Sequence, residues 1–236
     1  MLFRSWDMAA GTGNLEFILP TSALEKCYLS TLLDDDAKYC KRIFPSATVF
    51  QYDYLNDDVS TFNPEQSITD EIHLKMPKKL HEDLSNPNLK WIIFINPPFA
   101  TSNTVGKETG KRSKDTVSMT KVRELMEREK MGETSRELFA QFLYRIHKEF
   151  GGKRAYLGLF SKLKYINANN DQMLRDHAFQ YKFERGFMFS SESFYGSKSK
   201  FPVGFIIWNL KDSPRIEEQT IKLDVYNLES IAKNPT

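Results

Sequence analysis

Trp91-Ile92-Ile93-Phe94-Ile95 runs directly into Asn96-Pro97-Pro98-Phe99, and this junction constrains the fold more than any other stretch of the chain. Five large, β-prone apolar residues in a row read as a strand buried on both faces, as in a parallel sheet covered by helices. Two successive prolines then remove two backbone donors and fix two φ angles at about –65°. A central strand cannot continue through them, so the chain must leave the sheet at Asn96 in a stiff loop. An amide, two rigidly directed carbonyls and an aromatic ring are thereby presented at the carboxyl end of a buried strand, where open α/β sheets bind ligands.

That tetrad suits an amine on a planar ring. The Asn96 side-chain oxygen and the Pro97 carbonyl can each accept one N–H of an –NH2 group, while Phe99 stacks on the ring. Two accepted hydrogen bonds draw the nitrogen toward a more tetrahedral and nucleophilic geometry without a general base. A Pro-rich turn after a core strand has the same sequence, so the tetrad alone does not decide. A second pattern stands near the amino terminus, where Phe3-Arg4-Ser5-Trp6 leads into Asp7-Met8-Ala9-Ala10-Gly11-Thr12-Gly13-Asn14. It reads as a strand, an acid and a turn of small residues in which Gly11 and Gly13 permit positive φ and close ligand approach. No glycine follows three residues after Gly13, so this is not the dinucleotide fingerprint.

Together, D-x-x-x-G-x-G-N and a later strand ending in N-P-P-F resemble the S-adenosylmethionine-dependent amino-methyltransferases. The resemblance is closest to the N6-adenine DNA methyltransferases of bacterial restriction–modification systems, and it spans roughly residues 3 to 210. It implies that Asp7, Ala9, Gly11 and Gly13 hold the methionine part of S-adenosylmethionine, and that Asn96, Pro97, Pro98 and Phe99 form the catalytic tetrad. It also implies an acid for the cofactor ribose after the second strand. Asp34 is the candidate there, although alignment of the following Asp-x-x-Ala puts Leu32 at the expected acidic place. The Asp34-Asp35-Asp36 triplet also suits the amino terminus of a helix. After the third strand the resemblance gives Asp53 to the cofactor adenine and lets Tyr54 cover its ring; a turn-initiating Asp53 is the lesser alternative.

The remaining chain fits one α/β domain over residues 1–236. Strand candidates lie at 2–8, 27–32, 48–54, 91–95, 155–160, 186–190 and 201–210, and helical stretches at 34–44, 117–130 and 135–150. Strands alternating with helices give a mostly parallel sheet with helices on both faces, and the last two strands form an antiparallel hairpin. Seven strands so arranged match a Rossmann-like class I methyltransferase sheet. Residues 220–228 alternate apolar and polar side chains, as an added edge strand would. Insertions are expected at about 56–90, with a short helix near 78–84, and at 100–134.

The second insertion follows the tetrad and loses its apolar residues while gaining hydroxyls, glycines and the cations Lys107, Lys111, Arg112 and Lys114. That composition suits phosphate contacts and equally suits a solvated loop. Between the last two strands, Phe194 and Tyr195 precede Lys198 and Lys200, and the resemblance makes the two aromatics candidates to stack on an extruded base. A net charge of +2 is too small to argue for nucleic acid by itself, so any basic surface must be local. No apolar run is long enough to span a bilayer, no secretory leader is evident, and Cys27 and Cys40 lack metal-ligand spacing. The expectation is a cytoplasmic protein with reduced thiols and no metal.

Function follows as methylation of the N6 amine of adenine in DNA, with S-adenosylmethionine as cofactor. The helix that precedes the first strand in the resembling family, and a target-recognition domain, are expected to lie in a longer protein or on another subunit. Two other classes stay open: methylation of an amine in ribosomal RNA or a protein glutamine, and a non-catalytic remnant that has lost its cofactor.

Overall fold

The apolar runs fold as strands of a single mixed sheet. A computed structural model describes residues 3–59, 74–98, 119–193 and 200–227. Among these, eight strands stand in the order β3-β2-β1-β4-β5-β7-β6-β8. They are β1 (Phe3–Asp7), β2 (Cys27–Thr31), β3 (Thr48–Gln51), β4 (Lys90–Ile95), β5 (Ala155–Lys162), β6 (Lys182–Ser190), β7 (Pro202–Asn209) and β8 (Asp224–Val225). β1 to β5 are mutually parallel, and β7 inserts antiparallel between β5 and β6. The expected tail strand is the short β8, which pairs with β6 and makes eight strands where seven were expected.

Helices cover the sheet unequally. The large core lies on the face formed by Trp6, Tyr28, Trp91, Ile93, Leu157 and Trp208, beneath α3 (Lys78–Ser85), α4 (Lys121–Arg128) and α5 (Leu138–Phe150). On the opposite face a smaller core of Leu24, Cys27, Leu29, Cys40 and Phe44 is closed by α1 (Thr21–Leu24) and α2 (Asp34–Ile43). β4 therefore departs from the expectation of burial on both faces. Its side chains alternate, with Trp91, Ile93 and Ile95 buried, whereas Ile92 is 43% exposed beside Tyr156 at 46%. A purely apolar strand gives no alternation to read, so the sequence does not show which face a helix leaves uncovered.

Local chemistry sets several element ends. α2 has Asp34, Asp35 and Asp36 in its first turn and Lys41 and Arg42 in its last, both favourable to the helix dipole. None of the three acids caps it, because the N-cap position belongs to Leu33. α4 starts where the Thr120 hydroxyl accepts the Arg123 N–H at 3.0 Å and donates to Gln141 on α5 at 2.7 Å. The short helices α6 (Lys164–Asn167) and α7 (Gln172–His177) escape sequence reading because each is too brief for a helical period to repeat. Among the described residues no helix is long and apolar enough to cross a membrane.

β3 ends at Gln51, three residues earlier than expected, because Tyr52 to Asp57 form a turn clasped by α5. Arg145 of α5 is fully buried, and its guanidinium contacts the Tyr54 carbonyl, the Asp57 carbonyl at 2.8 Å and the Tyr52 hydroxyl at 2.8 Å. Glu149 closes the group, bonding Arg145 Nε at 2.9 Å and accepting the Tyr54 hydroxyl at 2.7 Å. Burial acts against the Arg145 charge, but Glu149 and the two tyrosines outweigh it and hold the pKa above the usual guanidinium value. Removing one member of such a buried pair strands its partner. Arg145→Ala is expected to lower unfolding stability by roughly 3–5 kcal/mol, seen as a lower urea midpoint, and Tyr54→Phe by about 1–2 kcal/mol. Losses under about 1 kcal/mol for Arg145→Ala would show that the clasp is not a determinant of the fold.

Candidate active site

β1 and β4 are neighbours, with Trp6 opposite Ile93, so Asp7 and Asn96 leave the sheet at the same rim. The two motifs, about ninety positions apart in sequence, thus come together at one edge of the sheet. At the β1 end, the chain turns tightly: the Ala9 N–H donates to Asp7 Oδ1 at 2.7 Å, and the Gly13 N–H to the Ala10 carbonyl at 2.8 Å. The Ala10 N–H reaches the Ser30 carbonyl of β2 at 3.1 Å, and the Cys40 thiol donates to the Gly11 carbonyl at 3.3 Å. The turn is thereby tied to both β2 and α2.

The two glycines serve different ends. Both have positive φ, +54° at Gly11 and +80° at Gly13. A Cβ on Gly13 would run into the Phe44 ring, so that glycine is demanded by packing of the turn onto α2. A Cβ on Gly11 would meet nothing within 4 Å. Gly11 is therefore the open side of the turn, where a ligand can approach the backbone. Ala9, half-buried, flanks it.

At the β4 end Asn96 is half-buried, and its Oδ1 is inaccessible and has no hydrogen-bond partner among the described residues. Pro97 is buried and Pro98 exposed. Phe99, Lys107, Lys111, Arg112, Phe194 and Tyr195 lie outside the described residues.

The remaining acids differ in how far they are already engaged. Asp34 is exposed at the start of α2 and pairs with Lys38 at 2.7 Å. Asp53 follows β3 at the same rim, half-buried, and its carboxylate accepts the Leu55 N–H at 3.0 Å and the Asn56 side chain at 2.7 Å. Tyr54 is a correction. Its ring is 2% exposed, packs edge-on against Trp6 at 5.4 Å and sends its hydroxyl to Glu149, so it is not free to cover a cofactor ring. The alternation past β3 turns Tyr54 into the large core.

One buried acid was missed in the sequence. Glu16 follows the glycine turn and is 2% exposed, while its neighbours Phe17 and Ile18 are exposed at 57% and 82%. Its carboxyl meets that of Asp7, which is 3% exposed. Burial and the approach of Glu16 push the Asp7 carboxyl well above the usual range, and burial pushes Glu16 up to about 7. The available signal was a lone acid inside the apolar run Leu15-Glu16-Phe17-Ile18-Leu19. Both cysteines are free and buried, and among the described residues no set of three or more His, Cys, Asp or Glu side chains is placed to hold a metal.

No protein-family model matches the sequence, and no curated protein matches it. Solved structures do resemble it in fold. A candidate class I S-adenosylmethionine-dependent methyltransferase from Listeria monocytogenes superposes with a TM-score of 0.50 at 11% identity, covering 98% of this chain and 59% of that one. The modification subunit of a candidate type I restriction enzyme from Vibrio vulnificus gives 0.49 at 9% identity, covering 90% and 41%. A type I restriction–modification methyltransferase subunit from Streptococcus thermophilus gives 0.46 at 13%, covering 98% and 46%. The chain thus spans 41–59% of the length of these three proteins. With the Listeria protein as its fold relative and β7 threaded between β5 and β6, the chain has the Rossmann-like fold of the class I methyltransferases.

Proposed function

We propose that this chain transfers the methyl group of S-adenosylmethionine to the N6 amine of adenine in DNA, as the catalytic part of a restriction–modification methyltransferase. The observation that carries this reading is the Asn96 side-chain oxygen, buried and unpartnered at the rim where the glycine turn also ends. An unsatisfied buried acceptor costs roughly 1–3 kcal/mol, so it is retained where a ligand donor completes it. An –NH2 group entering the crevice supplies that donor.

The residues present fit the cofactor on two further counts. Gly11 leaves open space beside the turn, and Asp7 offers a buried oxygen without a partner. Asp7, Ala9, Gly11 and Gly13 would hold the methionine end, Asp34 the ribose and Asp53 the adenine, with the Arg145 clasp fixing the loop that carries Asp53. When bound, S-adenosylmethionine supplies an electrophilic methyl. The chain's own part is then positioning. Asn96 Oδ1 and the Pro97 carbonyl accept the two amine N–H groups and draw the nitrogen lone pair out of the ring plane, while Pro98 stiffens the corner and Phe99 stacks on the base. The target adenine has to leave the duplex, because its amine is otherwise paired. Phe194 and Tyr195 are assigned to the extruded base, Lys107, Lys111 and Arg112 to phosphates, and recognition of the target sequence to a further domain or subunit.

Asn96→Ala is expected to lower methyl incorporation into adenine-containing duplex DNA by at least about a thousandfold while cofactor affinity stays within threefold, an effect of the size seen for a lost transition-state donor or acceptor. Turnover near wild type would defeat the mechanism, and incorporation into RNA or protein glutamine but not DNA would reassign the substrate. Gly11→Asn separates folding from binding, because asparagine tolerates positive φ at little cost. It should fold with a near-normal melting temperature yet bind S-adenosylmethionine at least about tenfold more weakly, a 1.4 kcal/mol penalty in calorimetry. Undiminished affinity would place the cofactor elsewhere.

A further inference from the structure

Glu16 is buried where its apolar neighbours are not, and the proposed methyl transfer gives it no task. It sits in the single turn Glu16–Ile18, which starts three residues past Gly13, with its carboxyl against that of Asp7. One Asp7 oxygen receives the Ala9 N–H, but Asp7 Oδ2 and Glu16 Oε2 are both inaccessible and receive no donor. Among the described residues, the titratable groups that feel the pair from the packed elements are Cys27 on β2 and Cys40 on α2, neither of them positive. Burial, with the Glu16 charge adding to it, lifts both thiols to about 11, so they remain neutral. Two buried carboxylates in contact, with no cation among the described residues beside them, cannot both ionise. A single proton between them gives each orphaned oxygen a partner and removes half of the charge.

We propose that Asp7 and Glu16 share one proton while the glycine turn is empty and release it to solvent when a cationic amino-acid ligand enters. Glu16 is then a positioning residue that acts through Asp7 and makes cofactor affinity depend on pH. The inference rests on the reading that S-adenosylmethionine binds at this turn, since its ammonium and sulfonium charges would stabilise the doubly ionised pair. Below the pair's titration the proton competes with the ligand, and above it the competition vanishes. Burial lifts Glu16 to about 7 and holds Asp7 well above the carboxylate range, so just above pH 7 the pair still keeps the one proton that the ligand displaces.

Calorimetric titration of the full chain with S-adenosylmethionine, in two buffers of different ionisation enthalpy at pH 7.5, reads the proton directly. Close to one proton should be released per wild-type complex, with affinity rising at least about tenfold from pH 6.5 to 7.5. Glu16→Gln removes the charge that adds to burial in holding the Asp7 proton, so it should release a smaller fraction and show a shallower profile. Wild-type binding without proton release, or a Glu16→Gln profile like the wild type's, overturns the proposal. A cofactor-free readout separates this from failure of the parent reading. A folded pKa raised above its unfolded value gives stability that is complete below about 4.5 and is lost as pH rises through about 7. Wild type should therefore lose more urea stability than Glu16→Gln between pH 5 and 8. Equal losses overturn the shared proton itself. That difference, without any binding of millimolar S-adenosylmethionine, keeps the proton and overturns both the coupling and the cofactor assignment.

Discussion

The buried guanidinium of Arg145 is the interaction on which the crevice depends. A charge with no exposure is tolerated only when its hydrogen-bonding capacity is met by rigid acceptors. Here these come from Glu149 on the same helix and from Tyr52, Tyr54 and Asp57 in the turn after β3. The guanidinium also lies over the Tyr54 ring at 4.3 Å. A helix and a turn that are distant in sequence are thereby locked together. The turn then hands on its own contacts, since the Leu55 carbonyl and the Asn56 side chain each accept an N–H at the start of α4. One ion pair in the core thus fixes the rim where Asp53 stands.

The Arg145 clasp and the β1–β4 rim treat their polar groups differently. Arg145, Glu149 and the tyrosines around them are buried and bonded to one another. Asp7, Glu16 and Asn96 each carry a buried oxygen that no described residue completes. The last three gather at the carboxyl ends of two adjacent parallel strands, the place where an α/β sheet opens a crevice. Unpartnered buried atoms also occur at Trp91, Ser161 and Asp171, so what distinguishes this rim is that three acceptors collect there. The short, proline-stiffened exit from β4 and the tight glycine exit from β1 serve the same end, because neither can relax to satisfy its own side chain.

Sheet coverage shows a different economy. The face that carries α3, α4 and α5 is closed by large aromatics, whereas the described residues close the opposite face only over β1 to β3. Ile92 and Tyr156 on β4 and β5 lie side by side on the open part, next to Phe94 and Phe160. The aromatic contacts among Phe94, Phe160 and Phe205 continue this strip across the antiparallel strands. The sheet remains intact there because its hydrogen-bond ladder is complete on both sides.

Much of this was written in the chain. The apolar runs located seven strands because large β-prone residues bounded by Gly, Pro and Asn leave few other conformations. Pro97 and Pro98 set the end of β4 because they lack donors, and Gly11 and Gly13 set the turn after β1 because only glycine takes positive φ freely. What the sequence could not express was which side of each element would be covered. Tyr54 moved from the crevice into the core, and Ile92 from the core to the surface, because burial depends on helices that arrive from distant positions. Glu16 was overlooked for the same reason. Local sequence carries composition and period, but a shared proton between two acids nine residues apart exists only once the turn between them has closed.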